Sequence, residues 1–228
     1  MKNHLITALI ALVFGFAGAG LWAASGLGNG LTRSYLVGNP DILPAMAEAY
    51  QQKQAEDRLA DVGGAVTTPF PGAVLGNPEG SKTLVEFTDY GCTYCRMSIA
   101  DVDRLAQEDP DLKIVVREWP IFDGSEDAAR MGLAAAKQGK FAAYYHAVFD
   151  LGPPSAASVE QAARTAGMDL SAARLFAASD AVTAEIAKNR EFARKLGFSG
   201  TPSWIAGGST LEGYVGYDRL AAAIAGDS

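Results

Sequence analysis

The stretch TLVEFTDYGCTYC at residues 83–95 carries a strand, a turn and the head of a helix. Residues 82–88 (KTLVEFT) have an apolar centre and read as a strand. From Cys92 to about Gln107 the pattern is helical, and residues 113–118 (KIVVRE) read as a second strand. Together they form a β-α-β unit with a C-x-x-C at its first strand-to-helix junction.

Downstream, residues 125–196 are alanine-rich and helical, interrupted at Gly139, Gly152-Pro153-Pro154, Gly167 and Asp180. A strand opened by a proline follows at residues 200–206 (GTPSWIA). Gly207-Gly208 turns the chain toward Leu211-Glu212-Gly213 as a hairpin partner, and residues 218–225 read as a closing helix.

Upstream, residues 63–80 are rich in Gly, Pro and Thr and read as a linker. Before them a helix is expected to about Leu59, with Asn39 as N-cap and Pro40 in its first turn. Pro44 pushes the true start toward Ile42. Ile42, Met46, Ala49 and Tyr50 make one apolar stripe, whereas residues 51–58 are almost wholly polar. A helix so striped wants cover, from another copy or from its own domain. Residues 25–30 are glycine-rich and read as a short flexible linker.

At the start, Lys2 and His4 precede an apolar run over residues 5–24. About 20 apolar residues cross a bilayer as a helix. The same run reads as an export signal, with small-x-small sites at Ala17-Gly18-Ala19 and Ala23-Ala24-Ser25. Residues 1–24 are therefore expected to be a signal anchor or a signal peptide. Residues 30–228 are then exported, either tethered to the inner membrane on its periplasmic side or soluble there after cleavage.

The cysteines decide the chemistry. There are two in the chain, Cys92 and Cys95. A scaffold stapled by disulfides spreads its cysteines, and a structural zinc site needs about four Cys/His ligands. The two histidines are His4, in the leader, and His146, so at most three ligands remain. A lone C-x-x-C beside a strand–helix unit reads as a redox pair. A structural disulfide or two inert thiols are the alternatives. At a helix N-terminus the macrodipole and unpaired amides favour a thiolate, which makes Cys92 the nucleophile. Cys95, one turn in, resolves the mixed disulfide. The net charge of −7, with no Lys/Arg cluster, argues against a nucleic-acid partner.

TLVEFTDYGCTYC resembles the active-site strand and helix start of DsbA-like proteins in the thioredoxin superfamily. Gly200-Thr201-Pro202 resembles the family's loop that carries a cis-proline beside the disulfide. The likeness covers roughly residues 75–226. Residues 35–43 (YLVGNPDIL), the polar helix after them and residues 74–80 (VLGNPEG) resemble the ScsC-like branch of exported DsbA-like proteins. The resemblance implies an α/β thioredoxin-like fold with an inserted helical subdomain, preceded by an N-terminal helix. The implied organisation is a leader over 1–24, linker and N-terminal helix over 25–62, a linker over 63–80 and a thioredoxin domain over 81–226. The helical insertion occupies about 125–196.

The family likeness also implies roles. A cis Pro202 leaves the Thr201 backbone to pair with an extended substrate strand over Cys92. Glu86, six positions before Cys92, is expected as a buried carboxylate that passes protons to or from Cys95. A solvent-facing Glu86 is the alternative, because strand alternation alone does not give its face. Thr93 and Tyr94 tune the couple. The dipeptide lacks the histidine of the strongly oxidising DsbA proteins, so a moderately oxidising or isomerase-like potential is expected. His146 is expected to be a packed or surface residue. No cofactor beyond the Cys92–Cys95 pair is expected. The implied partners are exported proteins with cysteines and a membrane redox partner that recycles the pair. Self-association through residues 33–59 occurs in some members of the branch, while others are monomers. A rival reading is a non-catalytic module that holds clients or copper(I) on its two thiolates.

Overall fold

The structure, a computed structural model, describes residues 2–226. Side chains at positions 2, 3, 5, 6, 8, 9, 27 and 28 lie outside that description, Lys2 and Leu5 of the expected leader among them. The chain divides into two compact units, one ending at Gln51 and the other beginning at Gln52.

The first unit holds α1 (Lys2–Ser25), α2 (Leu27–Gly38), a 3-10 turn (Pro40–Ile42) and the start of α3 (Leu43–Val62). The segment at 25–30, expected to be a flexible linker, is mostly helical. Its break is Gly26, at φ 69°, in the left-handed region that glycine enters without steric cost. Pro44 falls in the first turn of α3, where its missing N–H costs no helical bond. Leu31, Tyr35, Val37, Leu43, Met46 and Tyr50 are exposed along this unit. Among the described residues no single helix is long and apolar enough to cross a membrane. Ile10–Ser25 and Asn29–Gly38, which meet at 59°, pass together on length and composition.

The second unit is built on a five-stranded sheet of order β1-β3-β2-β4-β5. Its strands are β1 (Val74–Gly76), β2 (Lys82–Thr88), β3 (Leu112–Glu118), β4 (Ser203–Ala206) and β5 (Ser209–Glu212). β2 and β3 run parallel, and the other pairs are antiparallel. β1 lies inside the stretch expected as a linker. Three residues carry no period of their own, and pairing with β3 makes them a strand. Gly76, at φ 68°, passes so close to β3 that a Cβ there would sit 2.5 Å from the Leu112 carbonyl oxygen.

Side chains alternate along the strands, so each face has its own core. Leu84, Ile114, Val116 and Trp204 pack with Val102 and Leu105 of α4 (Thr93–Glu108). Tyr144, Tyr145 and Val148 of α6 (Phe141–Asp150) and Leu220 of α10 (Tyr217–Ala225) complete that face. On the opposite face Val85, Phe87, Val115 and Ile205 pack with Val62, Val66, Phe192 and Leu196. Phe192 and Leu196 belong to α9 (Asp180–Leu196).

The buried Arg117 points to this second face. It bonds Glu185 Oε1 at 2.9 Å and the carbonyls of Ala65 and Val66 at 2.8 Å. The segment after α3 is thereby clamped to the domain. α5 (Ser125–Lys137), α7 (Ala156–Thr165) and α8 (Leu170–Ala177) complete the helical insertion with α6 and α9. Ser155, Asp169 and Ser179 cap α7, α8 and α9 with their side chains.

Candidate active site

The turn between β2 and α4 is held by Asp89. Its carboxylate accepts from the backbone N–H of Gly91 at 2.7 Å, Ile121 at 2.6 Å and Phe122 at 2.9 Å. Gly91 admits this crowding, since a Cβ there would lie 2.6 Å from Ser125 Oγ. Cys92 is the N-cap of α4, with extended backbone and no side-chain cap bond. Its sulfur therefore stands where the first amides of the helix are unpaired.

Both cysteines are free thiols and both are buried, Cys92 at 2% and Cys95 at 0% exposure. The Cys95 thiol, the Thr201 side chain and the backbone N–H groups of Tyr94 and Cys95 favour the Cys92 thiolate, and burial opposes it. The net result lowers Cys92 from 9.0 to about 5. Cys95 goes the other way, pushed up by burial, by its bond to Cys92 and by the charge of Glu86. One thiol is thus an anion at neutral pH and the other a proton donor to it.

The Thr201–Pro202 peptide is cis. Thr201 was expected to keep its backbone for a substrate strand. In the thiol form of Cys92 its carbonyl oxygen accepts from Sγ–H at 3.2 Å. Thr201 and Pro202 are both buried, and the Pro202 carbonyl accepts from Gly213 N–H at 2.8 Å.

Glu86 is 0% exposed and faces the cysteine side of the sheet, which excludes the solvent-facing alternative. Tyr145 Oη donates to its two carboxyl oxygens at 3.0 and 3.2 Å. Burial raises Glu86 from 4.5 to about 7, against the Tyr145 bond. Thr93 and Tyr94 are exposed beside the pair, Tyr94 at 58%. His146 ties α6 to α4, with Nε2 2.8 Å from Asp103 Oδ1 and Nδ1 2.7 Å from the Ala142 carbonyl.

Sequence reasoning missed several participants. Tyr145 looked like an ordinary helical aromatic. A second buried carboxyl, Glu118, accepts from Tyr90 Oη at 2.6 Å. Tyr94, Met97, Ile121, Phe122 and Tyr214 are large, apolar and at least 44% exposed. Tyr94 and Met97 lie in the first two turns of α4, and Phe122 Cβ is 3.2 Å from the Cβ position of Gly91. Apolar letters outside a periodic pattern give no warning that they are exposed.

The profile of the DSBA-like thioredoxin domain matches residues 83–225, well over half of the chain. The chain belongs to that family. A thioredoxin-like oxidoreductase from Silicibacter pomeroyi DSS-3 is 42% identical over 67% of this chain and 89% of its own, with a TM-score of 0.64. A Proteus mirabilis ScsC variant is 26% identical over 89% of this chain and 94% of its own, with a TM-score of 0.70. A periplasmic thioredoxin-like protein from Salmonella enterica serovar Typhimurium is 26% identical over 71% and 92%, with a TM-score of 0.64. The DsbA family and the ScsC-like neighbours named on the sequence motifs are therefore both found. The Na(+)/H(+) antiporter NhaA of Herminiimonas arsenicoxydans is 38% identical over 77 residues, and this chain spans 12% of that protein.

Proposed function

We propose that this chain is an exported thiol–disulfide exchange catalyst of moderately oxidising potential, with Cys92 as nucleophile and Cys95 as resolving thiol. The observation that carries this reading is the Cys92 sulfur at the head of α4, lowered to about 5. Thiolates in such motifs span pKa values of about 7 in thioredoxin to about 3.5 in DsbA. A more stable thiolate stabilises the reduced pair and makes the disulfide a stronger oxidant. Cys92 lies between those ends.

The Cys92 thiolate attacks one sulfur of a substrate disulfide, forming a mixed disulfide and releasing the other sulfur as a thiolate. Cys95 then loses its proton to Glu86 and attacks Cys92 Sγ. The Cys92–Cys95 disulfide forms, and the second substrate sulfur leaves as a thiolate. Two electrons pass from the pair to the substrate, and the reverse sequence oxidises a substrate dithiol. The exposed rim of Tyr94, Met97, Ile121, Phe122 and Tyr214 suits unfolded polypeptides, whose apolar side chains are still in water.

Export rests on the apolar run at residues 5–24, on the oxidising conditions a disulfide needs and on the periplasmic Salmonella neighbour. Self-association through α2 and α3 would cover their exposed apolar residues, and light scattering of the full chain reads it directly.

Equilibration of the pair with glutathione tests the central reading. The expected midpoint lies between about −270 mV, the thioredoxin value, and about −120 mV, the DsbA value. A couple at either extreme sinks the moderate-potential reading. Reactivation of scrambled ribonuclease by the reduced protein then reads isomerase activity, and oxidation of reduced ribonuclease reads oxidase activity. Cys95→Ser should accumulate a mixed disulfide with substrate. If no such adduct forms, client or copper(I) holding replaces catalysis.

A further inference from the structure

Two buried groups take no part in the steps above. Thr88 and Glu118 are each 0% exposed. The parallel register pairs Thr88 with Glu118 and Glu86 with Val116, so Glu86, Thr88 and Glu118 share one face of the sheet. Thr88 stands beside Glu118 across the strands and two residues along from Glu86.

Their hydrogen bonding is incomplete. Thr88 Oγ1 and Glu118 Oε2 are both buried without a bonded partner. Glu118 Oε1 is spoken for by Tyr90 Oη at 2.6 Å. The Thr88 hydroxyl is near enough to Glu86 to favour its carboxylate, although it falls outside bonding geometry. Unpaired buried polar atoms are costly, and two of them on one face point toward each other's needs. Burial also raises the Glu118 carboxyl well above its ordinary value, which favours the neutral form that can donate.

We propose that Glu118 and Thr88 form a donor chain to Glu86, in which the neutral Glu118 carboxyl donates to Thr88 Oγ1 and the Thr88 hydroxyl donates to the Glu86 carboxylate. The chain keeps Glu86 ionised, and able to take the Cys95 proton, in a place where burial works against its charge. Glu118 and Thr88 act through Glu86 and are positioning residues. The inference rests on the reading of Glu86 as the base for Cys95.

Other groups face the same atoms. Asp103 of α4, the two cysteines and Tyr145 of α6 act on Glu86. Asp89 and Tyr90 of the turn and Glu86 itself act on Glu118, whose carboxyl in turn acts on Tyr144 and Tyr145 of α6. The α5 residue against Glu118 Oε1 is the uncharged Gly132. None of these is altered in the variants below.

The test is the pH dependence of mixed-disulfide resolution. The full chain carries glutathione on Cys92, so that Cys92 itself does not titrate, and release by Cys95 is timed in a single turnover. Thr88→Val and Glu118→Met should raise the midpoint by about 0.5–1 pH unit, because Glu86 loses its donors. Glu118→Gln should keep the wild-type midpoint, since its amide donates to Thr88 and its carbonyl accepts from Tyr90. Thr88→Val keeps the β-branched shape of the strand residue, so it tests the chain even where Glu118→Met unfolds. Unshifted midpoints for Thr88→Val overturn the chain. A lowered midpoint for Glu118→Gln overturns it too, by showing that Glu118 was an anion beside Glu86. Glu86→Gln separates the two layers. If it leaves the profile unchanged, the base reading fails and the chain fails with it. If it flattens the profile while Thr88→Val matches wild type, the chain alone fails.

Discussion

Cys92 Sγ lies 3.2 Å from the carbonyl oxygen of Thr201, a residue 109 positions away in the chain. The thiol form donates to that oxygen. On the proposed reading, ionisation of Cys92 removes the donor and leaves the carbonyl free for the N–H of an extended substrate. Nucleophile activation and release of a docking group are then one event, which couples the thiolate state to strand pairing.

Ionisation of Cys92 has a direct consequence for stability. Its folded pKa of about 5 lies below the ordinary value of 9.0, so the folded state holds fewer protons between those limits. Cys92 should therefore contribute stability to the reduced protein that grows as pH rises from 5 to 9 and is lost as pH falls back through 5. At pH 7 the Cys92 contribution is about 2–3 kcal/mol larger than at pH 4. Urea titrations of the reduced protein and of Cys92→Ser check this, since the difference between them isolates the Cys92 slope from the opposing one of Glu86. Thiolate absorbance should show a midpoint near 5 that the variant lacks.

Glu86 has the opposite sign. Its folded pKa of about 7 exceeds 4.5, so the folded state holds the extra proton and stability falls as pH rises between the two. Glu86→Gln should stabilise the protein at pH 8, by roughly 2–3 kcal/mol, while slowing resolution by Cys95. Thermal melts at pH 5 and pH 8 measure the first effect, and single-turnover kinetics measure the second. Equal melting shifts at both pH values would contradict it.

Arg117 holds residues 65 and 66 to the sheet and pairs with Glu185 where neither side chain sees solvent to any extent, at 0% and 7% exposure. Arg117→Ala leaves Glu185 buried with the Lys188 contact at 2.5 Å as its remaining ion pair. The expected loss is about 3–5 kcal/mol. Arg117→Met with Glu185→Leu should cost less than Arg117→Ala alone, as measured by chemical denaturation.

Gly132 sits within α5, where helix propensity alone says that alanine is better by about 1 kcal/mol. A Cβ there would lie 2.5 Å from Glu118 Oε1 and 2.9 Å from Tyr90 Oη. Gly132→Ala should instead destabilise, by about 1–3 kcal/mol. A raised melting temperature would show that the Tyr90–Glu118 pair can move aside.

The letters KTLVEFT, KIVVRE and the C-x-x-C between them were enough for the β-α-β unit and for the oxidoreductase family. Strand length, helical period and cysteine spacing are local properties, and each can be counted along the chain. The face of Glu86 could not be counted. β2 is covered on both sides, with Leu84 on one core and Val85 and Phe87 on the other, so alternation carries no sign of which side is which. β1 hid in a Gly/Pro-rich stretch because three residues become a strand when β3 offers them partners. Ile121 and Phe122 stand exposed, which no local pattern announces, since burial is a property of neighbours brought from elsewhere. Tyr145 on Glu86, Tyr90 on Glu118 and Thr201 on Cys92 are contacts over 59, 28 and 109 positions. The sequence by itself determined that the C-x-x-C stands at a helix start, because that follows from local pattern. Only the tertiary structure decided what surrounds its thiols, because hydrogen bonds and desolvation act through space and not along the chain.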